Sequence, residues 1–234
     1  MKYIILITFY ILLQGSSFEK IENCAQDFYL PVTVIPEKSN YKIGDTITIS
    51  SKFSKFVTGY RYDGGKENRV DEFNMSTIKW YPYTDFYKID TFRGKNLSPY
   101  SKISPYFDIK IDTIYKYAVF NYSNDASGLV GQYLYNNDSF SLQYRIIPIL
   151  EGTYMICSKS LLFAGNNILG KQTYTGDCFS GSTSSFIAYM TVNENRDNNF
   201  DLLLESPDCL YNDYFHRSRQ NFQEFGCYCI IVIK

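Results

Sequence analysis

This chain has little of what most small enzymes use. It carries one histidine, His216, in 234 residues, which excludes any site built on two imidazoles, His-rich zinc sites included. A Ser-His-Asp or Cys-His triad has to recruit that single residue, and no Gly-x-Ser-x-Gly elbow exists to hold a nucleophile. His216 reads most simply as a solvated side chain beside Arg217 and Arg219. No Cys-x-x-Cys pair is present for a thiolate zinc site. Excess charge is also missing, with 23 basic and 24 acidic side chains, so nothing funnels nucleic acid or an anionic membrane toward the chain. The acids show no spacing that singles out a glycosidase pair, and no motif implies a cofactor. There is no internal repeat and no low-complexity linker.

Long apolar runs are absent as well. The N-terminal one, Tyr3 to Leu13, is eleven residues, well short of the ~20 that span a bilayer. Preceded by Lys2 and followed by the small residues Gly15, Ser16 and Ser17, it has the form of a secretory signal peptide over residues 1–17. The expectation is a secreted product, extracellular or periplasmic, with no transmembrane segment after cleavage. From residue 18 onward 22 basic and 24 acidic side chains remain, a balance of −2.

What the chain does have is aromatics, 23 Tyr and 18 Phe, and strand periodicity. Ser139 to Ile146 alternates strictly, with Phe140, Leu142, Tyr144 and Ile146 on one face. A turn at Glu151-Gly152 leads to a second apolar run, Thr153 to Cys157, and a third follows at Phe186 to Val192. Leu30 to Val34 reads as a first strand, placed at an edge because of Pro31. Thr46 to Phe53 reads as the second strand. Residues 59–72 read as a surface loop by composition, and alternation returns at Asp108 to Asp112 and Tyr115 to Tyr122. The count is seven to nine strands in an all-β antiparallel sandwich over residues 18–193.

Residues 194–234 read as an extension packed on that sandwich. Ser206-Pro207-Asp208 has the form of a helix start, Leu210, Tyr214, Phe222 and Phe225 recur near helical spacing, and Gly226 suits a stop. A helix from about 207 to 225 is expected, then a closing strand, Cys227 to Ile233, apolar on both faces and therefore buried. Six cysteines in an exported chain suggest up to three disulfides. Cys227 and Cys229 share a strand face and need different partners. Cys157 and Cys178 bracket a 20-residue excursion and are paired here, which leaves Cys209 and Cys24 for Cys227 and Cys229.

Ile149-Leu-Glu-Gly-Thr-Tyr154 resembles the corner that enters the penultimate strand of an immunoglobulin-like sandwich, with Tyr154 as the corner tyrosine and Phe186 to Val192 as the final strand. The resemblance spans roughly residues 28–193. The chain departs from the antibody pattern in having Tyr154 three residues before Cys157, no cysteine in the second strand, and Trp80 outside a clear core strand. As a whole it also resembles small exported bacterial proteins of this sandwich type, from which no activity transfers.

Two segments are candidate sites. Lys79 to Tyr87 offers Trp80, Tyr81, Tyr83 and Tyr87 as amphipathic contact area and Asp85 as an acceptor for hydroxyls, a surface suited to a protein or glycan partner; the alternative is that Trp80, Tyr83 and Phe86 cap the sandwich. Asn193, Asn195, Asp197, Asn199 and Asp201 alternate as calcium-loop ligands do, though Asn198 replaces the loop glycine and Leu204 the twelfth ligand; a polar connector explains the same residues. Asn74, Asn121 and Asn137 begin glycosylation triplets. The leading expectation is a non-catalytic structural or interaction module at or outside the cell envelope, with a carbohydrate-binding module or a hydrolase with an unrecognised carboxylate site as alternatives.

Overall fold

A computed structural model describes residues 27–63, 65–90, 105–123, 126–160, 187–207 and 218–234. Cys24, Cys178, Cys209 and His216 lie outside the described residues. The described chain forms two sheets facing each other across an apolar core, an all-β sandwich.

The strict alternation at Ser139 becomes the axis of the larger sheet. This strand, β11 (Ser139–Pro148), buries every second residue from Phe140 onward. It pairs antiparallel with β3 (Ile47–Ser54) over eight positions, Ser139 opposite Ser54 through Ile146 opposite Ile47. Short strands β10 (Leu134–Asn136) and β7 (Phe107–Lys110) also line β11. Beyond β3 come β1 (Asp27–Ile35), β4 (Phe56–Asp63) and β5 (Lys66–Asn74), and β13 (Ile187–Val192) runs parallel to β1. The second sheet has the order β2 (Asn40–Lys42), β14 (Cys227–Ile233), β12 (Gly152–Ser160), β6 (Pro82–Lys88), β9 (Ala126–Gln132), β8 (Lys116–Ser123). From the facing sides, Phe28, Leu30, Ile47, Phe140 and Ile146 meet Phe86, Tyr154, Ile156, Tyr228 and Ile230 in one core.

Several expectations need correction. The described residues hold fourteen strands, not seven to nine. The loop expected at 59–72 is most of the hairpin β4–β5, whose second strand is largely exposed; a strand wetted on both faces carries no apolar period to read. β1 is not an edge strand, because it has neighbours on both sides. Pro31 is tolerated because β4 pairs at Asp27 and Phe28 and β3 from Thr33 onward, so the missing N–H falls in the gap between these two ladders. The final strand expected from the immunoglobulin pattern, β13, pairs with β1 in the larger sheet, and β14 takes the place beside β12.

The helix expected over 207–225 is also different. Its described part is α2 (Arg219–Glu224), capped by the Ser218 side chain, which accepts from the Asn221 N–H at 3.4 Å. The cap of this described helix is Ser218 and not Ser206. Ser206 follows α1 (Asp201–Leu204), and its hydroxyl donates to the Ile89 carbonyl at 2.6 Å. Gly226 ends α2 at φ +58°, and a Cβ there would lie 2.4 Å from the Ser158 carbonyl oxygen, so glycine is required twice over. The strand expected at Cys227–Ile233 is present and buried on both faces. Its outer face, with Tyr87, Ile89, Met155 and Cys157, packs on Phe200, Leu203 and Phe222 as a second, smaller core.

Candidate functional site

The aromatic segment at 80–87 is folded inward. Trp80 is fully buried, edge-on to Phe53 at 6.0 Å, Phe140 at 6.3 Å and Phe28 at 6.5 Å. Tyr87 and Asp85 are buried on the other face of β6, where the Tyr87 hydroxyl donates to the Asp85 carboxylate at 3.0 Å. Tyr81 and Tyr83 are half-buried. A Cβ on Gly128 would fall 2.2 Å from the Tyr83 ring, which therefore lies across the bare backbone of β9. This corrects the expectation of an open row of rings: Trp80 lies in the inner core and Tyr87 in the smaller one, with Asp85 buried beside Tyr87, and they form no platform. Large aromatics beside apolar strands lose more by staying wet than they gain from a polar tip.

The same strand supplies a link that the sequence did not announce. The Thr84 hydroxyl meets the Tyr144 hydroxyl at 2.9 Å, joining β6 of one sheet to β11 of the other. Tyr133 donates to the Ser51 hydroxyl at 2.7 Å, and Ser51 donates to the Pro31 carbonyl. Burial pushes the Tyr133 and Tyr144 phenols well above their ordinary range, so both stay neutral donors.

The asparagine-rich turn is occupied by its own chain. Asn193 accepts from the Val34 N–H at 2.9 Å and donates to the Asn198 side-chain oxygen at 3.3 Å, while Asn198 donates to the Val192 carbonyl at 2.9 Å. Asn199 donates to the Cys229 carbonyl at 2.8 Å, and Arg219 donates to Asp197 at 2.6 Å. Asn195 is exposed, its carbonyl accepting from the Gln223 amide at 2.7 Å, and Asp201 opens α1. Asn193, Glu194, Asn195, Asn198 and Asn199 all have positive φ, a conformation that asparagine tolerates better than most residues. A cation here has to displace these hydrogen bonds, and among the described residues no group of three His, Cys, Asp or Glu is placed to hold a metal. The turn works as a clip between β1, β13 and β14.

Cysteine pairing also differs from expectation. Cys157 is bonded to Cys227, not Cys178. The two stand directly opposite in the β12–β14 ladder, a long-range juxtaposition that loop length along the chain does not reveal. Cys227 and Cys229 do share a face and differ in state: Cys229 carries a free thiol, and burial raises its pKa far above the ordinary thiol range.

Several apolar side chains stay exposed, Ile35, Phe56, Ile114, Val119 and Leu204 among them, and four more lie at one end of the sandwich. The Ile43 N–H bonds the Ile233 carbonyl, and the Gly44 N–H bonds the Pro148 carbonyl, both at 2.9 Å. These bonds bring three segments together at one end of the sandwich, where Ile43, Ile149, Leu150 and Ile233 are each 41–46% exposed. The Tyr154 hydroxyl donates to the Leu150 carbonyl at 3.0 Å and the Glu151 carbonyl at 3.3 Å, fixing the corner that displays two of them. The signal was there in sequence as two consecutive aliphatics in a turn between Pro148 and Gly152, where polar residues are the rule.

No protein-family model matches the chain, and no curated protein matches it. Among solved structures, the crystal structure of the human F-spondin reeler domain is similar to it, with a TM-score of 0.30 and 9% identity over 74% of this chain and 91% of that one. At that score the likeness carries no argument. The resemblance to small exported bacterial proteins gains no named relative.

Proposed function

We propose that this chain is an exported, non-catalytic β-sandwich of immunoglobulin-like kind that binds another protein through the apolar end formed by Ile43, Ile149, Leu150 and Ile233. The observation that carries the reading is that these four side chains stay exposed at one end, held there by backbone hydrogen bonds and the Tyr154 corner. Apolar side chains gathered in one place on a protein surface mark interaction sites more often than singly scattered ones do. Branched aliphatics suit the apolar centre of a protein interface, whereas a glycan is held by exposed rings and polar groups. Export is supported by the N-terminal run and by a disulfide between two central strands, a bond that persists in oxidising compartments.

Two measurements test this. Intact mass of the product recovered outside the expressing cell is expected to correspond to a chain starting at Phe18, with peptide mapping recovering Cys157 bonded to Cys227. Retention of residues 1–17 sinks the export reading. Partners recovered with the wild-type chain are expected to be lost with the double variant Ile149→Asp/Leu150→Asp at an unchanged melting point; retention of the same partners removes the apolar end as the site.

A further inference from the structure

An open strand edge is a template for another chain, and proteins blunt such edges by shortness, charge or cover. Among the described residues most open edges are blunted. β2 and β10 have three residues each and β7 has four. β5 is nine residues long but carries Lys66, Glu67, Arg69, Asp71 and Glu72. β13 packs against α2 and β12. β8 is different: its eight residues, Lys116-Tyr-Ala-Val-Phe-Asn-Tyr-Ser123, hold one charge, at the very start. It closes the order of the six-stranded sheet beside β9, and no described strand pairs with its outer side. Val119, near its middle, is 54% exposed, and Ala118 is exposed as well.

We propose that β8 pairs antiparallel with β8 of a second copy, joining the two six-stranded sheets edge to edge. The geometry narrows the register. A two-fold axis that pairs a strand antiparallel with itself stands perpendicular to the sheet and keeps inner face with inner face. Directly opposed residues share a face, so the axis passes through one residue and its own copy and never between two positions. Val119 is a central residue that meets this condition; Ala118 then opposes Phe120, and Tyr117 opposes Asn121. The charge pattern favours a second copy as the occupant. With Lys116 three residues from the axis, the two ammonium groups sit at opposite ends of the joint, about 20 Å apart along it at 3.4 Å per residue, beyond the Debye length at physiological salt. Nothing charged opposes anything charged, and two exposed valines meet at the centre. This surface is separate from the apolar end, so the inference does not depend on the reading of that end.

The test is sedimentation of the folded, oxidised chain over a concentration series, with amide hydrogen exchange at both extremes. The expected result is a reversible dimer, well populated at about 100 µM if its dissociation constant is micromolar, and slowed exchange confined to β8 as concentration rises. Val119→Lys sets two ammonium groups face to face on the axis and is expected to weaken the dimer at least tenfold while keeping the wild-type circular dichroism and melting point. Ala118→Lys, also at an exposed position, serves as the second variant should Val119→Lys fold poorly. The proposal is overturned by a chain that stays monomeric at about 100 µM, by lysine variants that dimerise as the wild type does, by protection appearing on another strand, or by β8 amides that slow only when a foreign extended peptide is added.

Discussion

On its inner face the six-stranded sheet meets another sheet; on its outer face it meets two short helices and an asparagine-rich turn. The inner core is broad and aromatic. Trp80, Phe53, Phe140 and Phe28 interlock there, and hydroxyl pairs such as Thr84 with Tyr144 tie the layers. The outer core is small, and much of it is sulfur: Met155, Cys157, Cys227 and Cys229 lie under Phe200, Leu203 and Phe222. Among the described residues its cover has few apolar side chains to offer, and a disulfide and the hydrogen bonds of Asn193, Asn198 and Asn199 add specific links there. One sheet can thus be held by packing on one face and by specific links on the other.

The largest break in this comparison is expected from Trp80→Ala. Emptying a fully buried indole site costs about 5 kcal/mol, the upper end for such truncations, and chemical denaturation should report it as a global loss with one transition. Phe222→Ala is expected to cost less, about 3 kcal/mol, and to act locally. Hydrogen exchange should speed up at Arg219 to Gly226 while β3 and β11 hold their protection. If β3 loses as much protection as it does in Trp80→Ala, the two cores form one cooperative unit and the two faces of the sheet are not held independently.

The smallest effect sharpens the border between the regions. Asp27, at the start of β1, has its carboxyl pKa raised, first by burial and then by Glu67 of β5 and Glu224 of α2. A raised folded-state pKa means that the folded protein holds this proton more tightly than the unfolded chain does. The contribution is therefore fully present below the ordinary aspartate range and is lost as pH rises through the raised value. Asp27→Asn is expected to raise the melting temperature modestly at pH 7 and to leave it unchanged near pH 3. An equal shift at both pH values would assign the effect to packing and not to charge.

The inner core was legible in the sequence because period two is a local signal. Phe140, Leu142, Tyr144 and Ile146 declare their face without reference to any other strand, and the run Cys227–Ile233 declares burial on both faces. The second strand of the hairpin β4–β5 was not legible, since its exposed positions impose no alternation. The Tyr154 corner could be read from six consecutive residues. The Cys157–Cys227 bond could not be, because it depends on which strand lies beside β12. For Trp80 the composition of the segment invited a surface reading, yet burial is decided by Phe28, Phe53 and Phe140, residues 27 to 60 positions away in sequence.

The place of β14 also sets an order of events during synthesis. Its neighbours β2 and β12 are made long before it: Lys38 and Tyr228, joined by hydrogen bonds, are 190 residues apart, and Cys157 and Cys227 are 70 apart. At ~5–20 residues per second, the ribosome needs roughly 4–14 s after making Cys157 before it reaches Cys227. Through that interval β2 and β12 each wait without the strand that lies between them, so the six-stranded sheet is completed as a late step, when the place beside its β2 edge is filled by residues 227–233.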